Sequence, residues 1–283
     1  MNQTTILNGK KIEGVGLHTG NKSTLTLNPA VPNSGIVFVD QLNGRKIEAS
    51  HKNYQISELC TAITDGVSTI KTIEHLMAAI NAMDIDNLEI GVTGGEVPIL
   101  DGSSSHFIDH INQCGIVELD GYTREYIKIN QPIHFRENDK SVSLLPSDKP
   151  MFSFDIDFSE KKIGAQSYSM ELNKENFINE VAFARTFGFM SDVEKLWAAG
   201  LAKGGSKDNA VLVGLNGEIL NESGLRHKQE FVRHKILDAI GDLMLAGKRI
   251  IGHFVGNKSS HRLTAILIQM LFERPGSWEL VKA

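Results

Sequence analysis

A run of short strand-like segments followed by amphipathic helix-like segments occurs twice along this chain, and this pattern constrains the fold most strongly. In the strand-like segments apolar and polar residues alternate, and clusters of Gly, Pro, Asn and Asp separate them, as is typical of half-buried strands. Grouping of strands before helices favours an α+β fold over a doubly wound parallel sheet. A diverged duplication fits the pattern, although no strong sequence repeat relates the two halves.

Individual elements follow from the same pattern. Strands are expected at residues 23–30, 33–40, 87–94, 141–146, 151–158, 167–172 and 249–256, and a hairpin within 57–70 with its turn at Asp65 and Gly66. Helices are expected at 71–83, 103–115, 174–182, 229–246 and 260–273. We expect Ser68 or Thr69 to cap the first helix, and Gly121 to mark the boundary between the halves.

The composition is that of a soluble globular protein without a broad nucleic-acid interface. Of the 283 residues 41% are apolar, and the net charge is −5, whereas nonspecific nucleic-acid binding needs a basic surface. Two cysteines, Cys60 and Cys114, are too few for a disulfide framework and favour a reducing compartment. We find no signal-peptide core, and the apolar segment 263–272 is too short to span a bilayer. We therefore expect a cytoplasmic protein without a transmembrane segment.

The segment HKILDAIGD places His234, Asp238 and Asp242 four residues apart, so on a helix they share one face. A histidine and an aspartate at this spacing can bind one zinc ion through imidazole nitrogen and carboxylate oxygen. The same spacing is common on solvated helix faces, and catalytic zinc normally needs three protein ligands. Alone, the segment fits a surface hydrogen-bonded pair better than a metal site.

Two other segments could complete such a site. Glu74 and His75 are adjacent near a predicted helix start, where side chains that diverge by about 100° can border one cavity. A carboxylate beside a ligand histidine suits a general base that deprotonates water, but an exposed Glu-His pair on a helix fits the sequence equally. The metalloprotease motif H-E-x-x-H is absent.

Lys258 and His261 lie at the start of another predicted helix, a position that favours the binding of anions. Asp242 could hold His261 as an imidazolium.

The segment FARTFGFM places Thr186 among phenylalanines, which fits either a buried aromatic strand or a hydroxyl donor beside an apolar channel. The paired glycines within residues 200–210 do not match G-x-G-x-x-G. Walker and nucleophile-elbow motifs are also absent from the sequence. The sequence therefore does not support a Rossmann or P-loop nucleotide-binding site, or a serine hydrolase with a nucleophile elbow.

Six segments in order are far more specific than any one of them: GVGLHTG, TIEHLMAAI, VPILDGSS, ARTFGFM, FVRHKILDAIGDL and GNKSSH. With these segments the whole chain resembles the bacterial UDP-3-O-acyl-N-acetylglucosamine deacetylases, zinc enzymes of lipid A biosynthesis in Gram-negative bacteria. The resemblance implies an α+β fold of two domains with similar topology, residues 1–121 and 122–283, each a sheet layered against helices. The active site would lie between them. An inserted strand-helix-strand unit, about 186–213, would form an acyl-chain passage.

The resemblance also implies the site residues. The zinc ligands would be His75, His234 and Asp238, a set that Fe²⁺ also accepts. Glu74 would be the general base, and Asp242 would orient His261, the acid for the leaving amine. A hydroxyl donor to the developing oxyanion would come from Thr186. His18 is the leading rival as a metal ligand, and the resemblance implies that Cys60 approaches the site.

The implied substrate carries a nucleotide diphosphate and an acyl chain. Lys140, Lys235 and Lys258 would lie near the diphosphate, and Phe158 would stack on the uracil. Side chains expected to contact the acyl chain are those of Phe187, Met190, Val193 and Ala202. Ser206 and Asn209 are more polar than such a passage suggests.

Three functions remain open from the sequence: this deacetylase, another zinc amidohydrolase, or an inactive nucleotide-sugar-binding protein with a structural zinc. We expect a monomer that acts on a small molecule, with peripheral membrane proximity and without nucleic acid.

Overall fold

The computed structural model describes residues 1–57, 59–160 and 162–282. Within them the helices are α1 (Glu74–Ala82), α2 (Ser105–Cys114), α3 (Lys174–Glu180), α4 (Met190–Ala198), α5 (Glu230–Asp242) and α6 (His261–Phe272). Short 3₁₀ helices lie at His51–Asn53 and Leu243–Ala246. The protein is thus a mixed α+β fold, as expected.

The first-half strands are β1 (Asn2–Ile6), β2 (Lys10–Val15), β3 (Lys22–Pro29), β4 (Ile36–Asp40), β5 (Arg45–Glu48), β6 (Tyr54–Gln55), β7 (Ala62–Thr64), β8 (Thr69–Ile70), β9 (Leu88–Val92) and β10 (Ile116–Thr123). Those of the second half are β11 (Glu125–Ile129), β12 (Ile133–Glu137), β13 (Lys140–Leu145), β14 (Met151–Asp157), β15 (Ala165–Glu171), β16 (Phe187–Phe189), β17 (Val211–Val213), β18 (Arg249–Ile251), β19 (His253–Asn257) and β20 (Trp278–Lys282).

Two five-stranded sheets have the same topology. Their strand orders are β2-β3-β9-β4-β5 and β12-β13-β19-β14-β15. In each sheet the central strand pairs parallel with one neighbour, β4 or β14, and every other pairing is antiparallel. In each half the central strand is preceded by one long helix and followed by another, α1 and α2 or α5 and α6. The two halves thus repeat one arrangement, although no strong sequence repeat relates them.

Alternation along the strands builds one buried face on each sheet. On β3 the side chains of Leu25 and Leu27 are fully buried, and on β14 those of Phe152 and Phe154 are nearly so. Because successive side chains of a strand point to opposite faces, these residues form the helix-facing side of each sheet. The apolar core they build is continuous through both halves.

Helices α1 and α5 pack against each other in the middle of the molecule. Every residue of α1 is buried, and so is every residue of α5 except Lys235. The two helices approach closely at Gly241, where a Cβ atom would lie 2.0 Å from the Glu74 carbonyl oxygen. Only glycine permits this separation.

Smaller sheets complete the structure. Strand β1 pairs with β10, β6 with β7 and β7 with β8, and β11 lies between β18 and β20. Strand β16 pairs in parallel with β17, and α4 connects them, so residues 187–213 form a strand-helix-strand unit. No helix of the described residues is long and apolar enough to cross a membrane.

Three local expectations need correction. The first helix begins at Glu74 and has no side-chain cap, because Thr69 pairs with Thr64 in the β7–β8 hairpin and the Ser68 hydroxyl donates to Asp40. Strand β10 runs through Gly121, so this glycine lies within a strand and does not separate two elements. The segment 249–256 is broken at Gly252 into β18 and β19, which belong to different sheets.

The other expected helices and strands are confirmed, with ends shifted by a few residues. The hairpin turn lies where predicted, because the Asp65 carboxylate accepts from the amides of Val67 and Ser68. Glu58, within the predicted hairpin segment, lies outside the described residues.

Gly241→Ala should lower the free energy of unfolding by about 1–3 kcal/mol, because the added methyl group overlaps backbone atoms of α1. Chemical denaturation followed by circular dichroism measures this loss. Gly276→Ala is the matched control, since nothing lies within 4 Å of a Cβ atom there. Equal stability of the two variants would contradict the close approach.

Candidate active site

The start of α1 and the middle of α5 bring three metal-binding side chains together. His75, His234 and Asp238 are buried, and one ligand atom from each lies within 4.8 Å of the others. Asp238 Oδ1 is 3.2 Å from His234 Nε2 and 3.5 Å from His75 Nε2. Among the described residues no other group of three or more His, Cys, Asp or Glu side chains is this close.

The tautomer of His234 follows from its backbone partner. Its Nδ1 donates to the Ala184 carbonyl oxygen at 3.0 Å, and a carbonyl can only accept. Burial lowers the pKa of His234 to about 3, although the charge of Asp238 opposes this shift. The imidazole is therefore neutral at pH 7, and its Nε2 lone pair faces Asp238, as a metal ligand requires.

Asp238 uses its two oxygens differently. Oδ2 accepts from Lys235 Nζ at 2.7 Å, whereas buried Oδ1 has no hydrogen-bond partner. Burial opposes ionisation, but the neighbouring cationic groups hold the pKa of Asp238 well below its usual range. We attribute this mainly to Lys235, since His234 is neutral. The carboxylate is ionised and presents one free oxygen.

These three residues fit a divalent transition metal. A buried carboxylate oxygen without a donor is costly, and a cation at that position would satisfy it. Two imidazoles and one carboxylate are a common ligand set of catalytic zinc, which leaves a fourth position for water or substrate. The same donors also accept Fe²⁺, so the residues indicate a metal site without selecting one ion.

Glu74 lies beside this cluster, in the first turn of α1. Its Oε2 accepts from the Thr61 amide at 3.0 Å, and its Oε1 is 3.9 Å from His261 Nε2. Burial raises the pKa of Glu74, and the positive charge of His261 partly opposes this rise. A raised pKa suits a carboxylate that must accept a proton near neutral pH.

His261 begins α6 and is held by Asp242. Its Nδ1 donates to Asp242 Oδ2 at 2.9 Å. Burial alone would lower the pKa of His261, but the charges of Asp242, Glu74 and Asp238 outweigh it and raise this pKa to about 9. A divalent cation in the cluster would oppose that rise. His261 can therefore hold a proton on Nε2, opposite Glu74.

A cavity of about 450 Å³ opens beside these groups. Nine residues expected from the sequence line it: Lys140, Phe158, Thr186, Phe187, His234, Lys235, Asp238, Lys258 and His261. Among the described residues, Met190, Val193 and Ala202 do not line it. Met190 and Val193 lie on α4, which has no buried residue.

Two of the three lysines already have acidic partners. Lys235 donates to Asp238, and Lys258 Nζ lies 3.0 Å from Asp157 and 3.5 Å from Asp139. A phosphate group would therefore have to compete with these carboxylates for Lys235 and Lys258.

The ring of Phe158 packs against two other phenylalanines of the site. Its centroid lies 5.7 Å from that of Phe187 and 5.5 Å from that of Phe189.

His18 does not belong to the metal cluster. It is buried, both of its ring nitrogens lack a partner, and burial lowers its pKa. Its carbonyl oxygen accepts from the Lys203 amide, and that of Leu17 accepts from the Gly204 amide, so this turn anchors the strand-helix-strand unit that contains α4.

Burial raises the pKa of Cys60 to about 11, so its thiol is protonated at pH 7.

Thr61 is a site residue that sequence reasoning missed. Its amide donates to Glu74, and its hydroxyl donates to Asp242, so one residue orients both carboxylates. It lies just before β7, far from both partners in sequence. No periodicity or motif marks it.

Replacing the Thr61 hydroxyl by a methyl group in Thr61→Val should cost about 1–3 kcal/mol of unfolding free energy, because buried Asp242 loses a donor without a change in shape. Thr61→Ser keeps the hydroxyl and should lose clearly less. Thermal and urea unfolding of both variants provide the comparison. Losses of the same size would mean that packing, and not the hydrogen bond, is responsible.

Comparison with known proteins identifies the family of this chain. The family profile described as UDP-3-O-acyl N-acetylglycosamine deacetylase (LpxC) matches residues 3–273. Relatives named UDP-3-O-acyl-N-acetylglucosamine deacetylase are 44% identical in Geobacter sp. (strain M21) and 43% identical in Campylobacter lari. Each alignment covers 99% of this chain, and 92% and 95% of the respective relative. The chain therefore belongs to the UDP-3-O-acyl N-acetylglycosamine deacetylase family.

Proposed function

We propose that this protein hydrolyses the N-acetyl group of UDP-3-O-acyl-N-acetylglucosamine with zinc, giving acetate and UDP-3-O-acyl-glucosamine for lipid A biosynthesis. Family membership supports the reaction. The observation that carries the proposal is the single buried cluster in which His75, His234 and Asp238 face one another beside Glu74 and His261. Fe²⁺ in place of zinc is compatible with the same ligands.

Bound zinc would supply Lewis acidity, which polarises an amide carbonyl and lowers the pKa of water toward neutrality. The protein's own groups would move the protons. Glu74 Oε1 would accept a proton from the attacking water, since its raised pKa favours proton uptake. His261 Nε2 would give a proton to the departing amine nitrogen.

Asp242 and Thr186 would assist without exchanging protons. Asp242 would hold His261 in the protonated form and in one orientation through Nδ1. Thr186 would donate its hydroxyl proton as a hydrogen bond to the oxyanion that develops on the acetyl carbonyl. Its position at the cavity wall supports this role.

The substrate would fill the cavity and extend from it. We propose that Lys140, Lys235 and Lys258 contact the diphosphate and that Phe158 stacks on the uracil, because all four line the cavity. Contacts with the acyl chain would come from Phe187 in the cavity, followed by Met190, Val193 and Ala202.

The larger organisation is also part of the proposal. We infer two domains, close to residues 1–121 and 122–283, with the site between them and the unit at about 186–213 forming the acyl passage. A cytoplasmic monomer working near the membrane surface would suit an amphiphilic substrate.

Mass spectrometry of acetate release tests the reaction directly. We expect release from UDP-3-O-acyl-N-acetylglucosamine, loss of turnover with a chelator, and recovery with zinc. Slower release from the same nucleotide sugar without its acyl chain is expected if the passage binds the chain. Full turnover of the chelated protein would contradict the metal-dependent mechanism.

Metal content and turnover should separate in two variants. Glu74→Ala should retain zinc and lose about 10²–10⁴-fold in kcat, because only the proton acceptor is removed. His75→Ala should lose the metal itself, since two protein ligands remain. Elemental analysis beside kinetics distinguishes the outcomes. An unchanged zinc content and turnover in His75→Ala would contradict the assignment of His75 as a metal ligand.

The Asp242 carboxylate raises the pKa of His261, so Asp242→Asn should lower that pKa. The acid form of His261 would then be lost at lower pH, and the basic limb of the kcat/KM profile should move down by about one unit or more. The profile of Thr64→Val serves as a control. An unmoved basic limb in Asp242→Asn would assign that limb to another group.

A further inference from the structure

A buried ion pair ties the three-residue segment 184–186 to the start of α5. We propose that Arg185 and Glu230 are positioning residues. Their pair fixes the Ala184 carbonyl against His234 and holds the Thr186 hydroxyl at the cavity. The part that concerns Thr186 rests on the proposed function, whereas the part that concerns His234 stands without it.

The geometry of the pair is that of a rigid clamp. Arg185 Nε donates to Glu230 Oε1 at 2.8 Å, and Nη2 donates to Oε2 at 3.2 Å. The Arg185 backbone amide also donates to Oε1, at 3.1 Å. Arg185 is 3% exposed and Glu230 1% exposed, so water does not compete. Side chain and backbone of one residue are thus bound to the same carboxylate.

Both neighbours of Arg185 face the site. Ala184 supplies the carbonyl oxygen that accepts from His234 Nδ1 at 3.0 Å. Glu230 is the first residue of α5, and His234 lies one helical turn after it. The clamp therefore joins the acceptor and the imidazole to the same turn of one helix. Any shift of residue 184 relative to α5 would weaken the bond that sets the His234 tautomer.

Thr186 is held from the other side. Its amide donates to the Gly102 carbonyl oxygen at 2.8 Å, and its own carbonyl accepts from Val211 at 2.7 Å. Gly102 itself is closely packed, because a Cβ atom there would lie 2.0 Å from the Asn209 carbonyl oxygen. The Thr186 backbone is thus fixed on both sides, and Arg185 secures the residue before it.

A second arginine extends the clamp. Arg226 donates from Nη1 to Asp101 and to the Phe183 carbonyl oxygen, both at 2.9 Å. Its backbone amide donates to Glu230 Oε2. Residues 183–186 are therefore held by two arginines that converge on Glu230. A buried ion pair contributes little net stability, because desolvation of the two charges offsets their attraction. Fixing the position of residues 183–186 is therefore the better explanation for this arrangement.

Arg185→Lys keeps the charge but loses the two-pronged contact, and Glu230→Gln keeps the shape but loses the charge. We expect each variant to lose metal to a chromophoric chelator at least about 10-fold faster than the wild type, as for other groups that orient a ligand. We also expect kcat to fall at least about 10-fold with KM within about threefold, because an oxyanion donor acts in the transition state.

Arg233→Lys is the matched control. Arg233 lies next to His234 on α5 and is also buried, but its guanidinium hydrogen-bonds to Glu180 and lies over the Tyr168 ring, away from the Arg185–Glu230 pair. This variant should change metal release and kcat by less than about threefold, even at a similar loss of stability. Metal release and kcat in a folded Arg185→Lys or Glu230→Gln that both match Arg233→Lys would overturn the whole proposal.

The two readouts separate this proposal from the proposed function. Wild-type protein that releases no acetate would contradict the function, yet chelator-driven metal release would still compare the variants. If Arg185→Lys does not fold, the isosteric Glu230→Gln decides the outcome. A normal metal-release rate with a lower kcat would leave Thr186 as the only residue that the clamp positions, and would overturn the part that concerns His234.

Discussion

At Gly241 the backbones of α5 and α1 come so close that a methyl group would lie 2.0 Å from the Glu74 carbonyl oxygen. This contact sets the distance between the two helices that carry the site. Because His75 follows Glu74 directly, it also places one imidazole opposite His234 and Asp238. The two halves have the same sheet topology, and each contributes the helix that precedes its central strand. The cluster of His75, His234 and Asp238 therefore lies between one helix of each half.

Such a site buries several ionisable groups, and each of them is held by a defined partner. Asp242 binds His261, Lys235 binds one oxygen of Asp238, and the Thr61 amide binds Glu74. The exceptions are Asp238 Oδ1 and His75 Nδ1, which have no hydrogen-bond partner. In a protein interior, one open carboxylate oxygen between two imidazole nitrogens is most simply explained as a metal ligand.

Local sequence patterns predicted those features that depend on local geometry. Helical spacing placed His234 and Asp238 on one face, and any helix would do so. The pairing of β9 with both β3 and β4 was not predictable, because sheet order depends on contacts between distant segments. The same is true of Thr61, and of the acidic partners of Lys258. The first helix was predicted to start too early, because Thr69 pairs with Thr64 in the β7–β8 hairpin and the Ser68 hydroxyl donates to Asp40 at the end of β4.

We propose that His75, His234 and Asp238 hold one metal ion between α1 and α5. Anomalous diffraction at the zinc absorption edge, from crystals of the zinc-loaded protein, tests it most directly. The account predicts one strong peak within bonding distance of Nε2 of both histidines and Oδ1 of Asp238. A principal peak at His18 or Cys60, or no peak between the two helices, would contradict it.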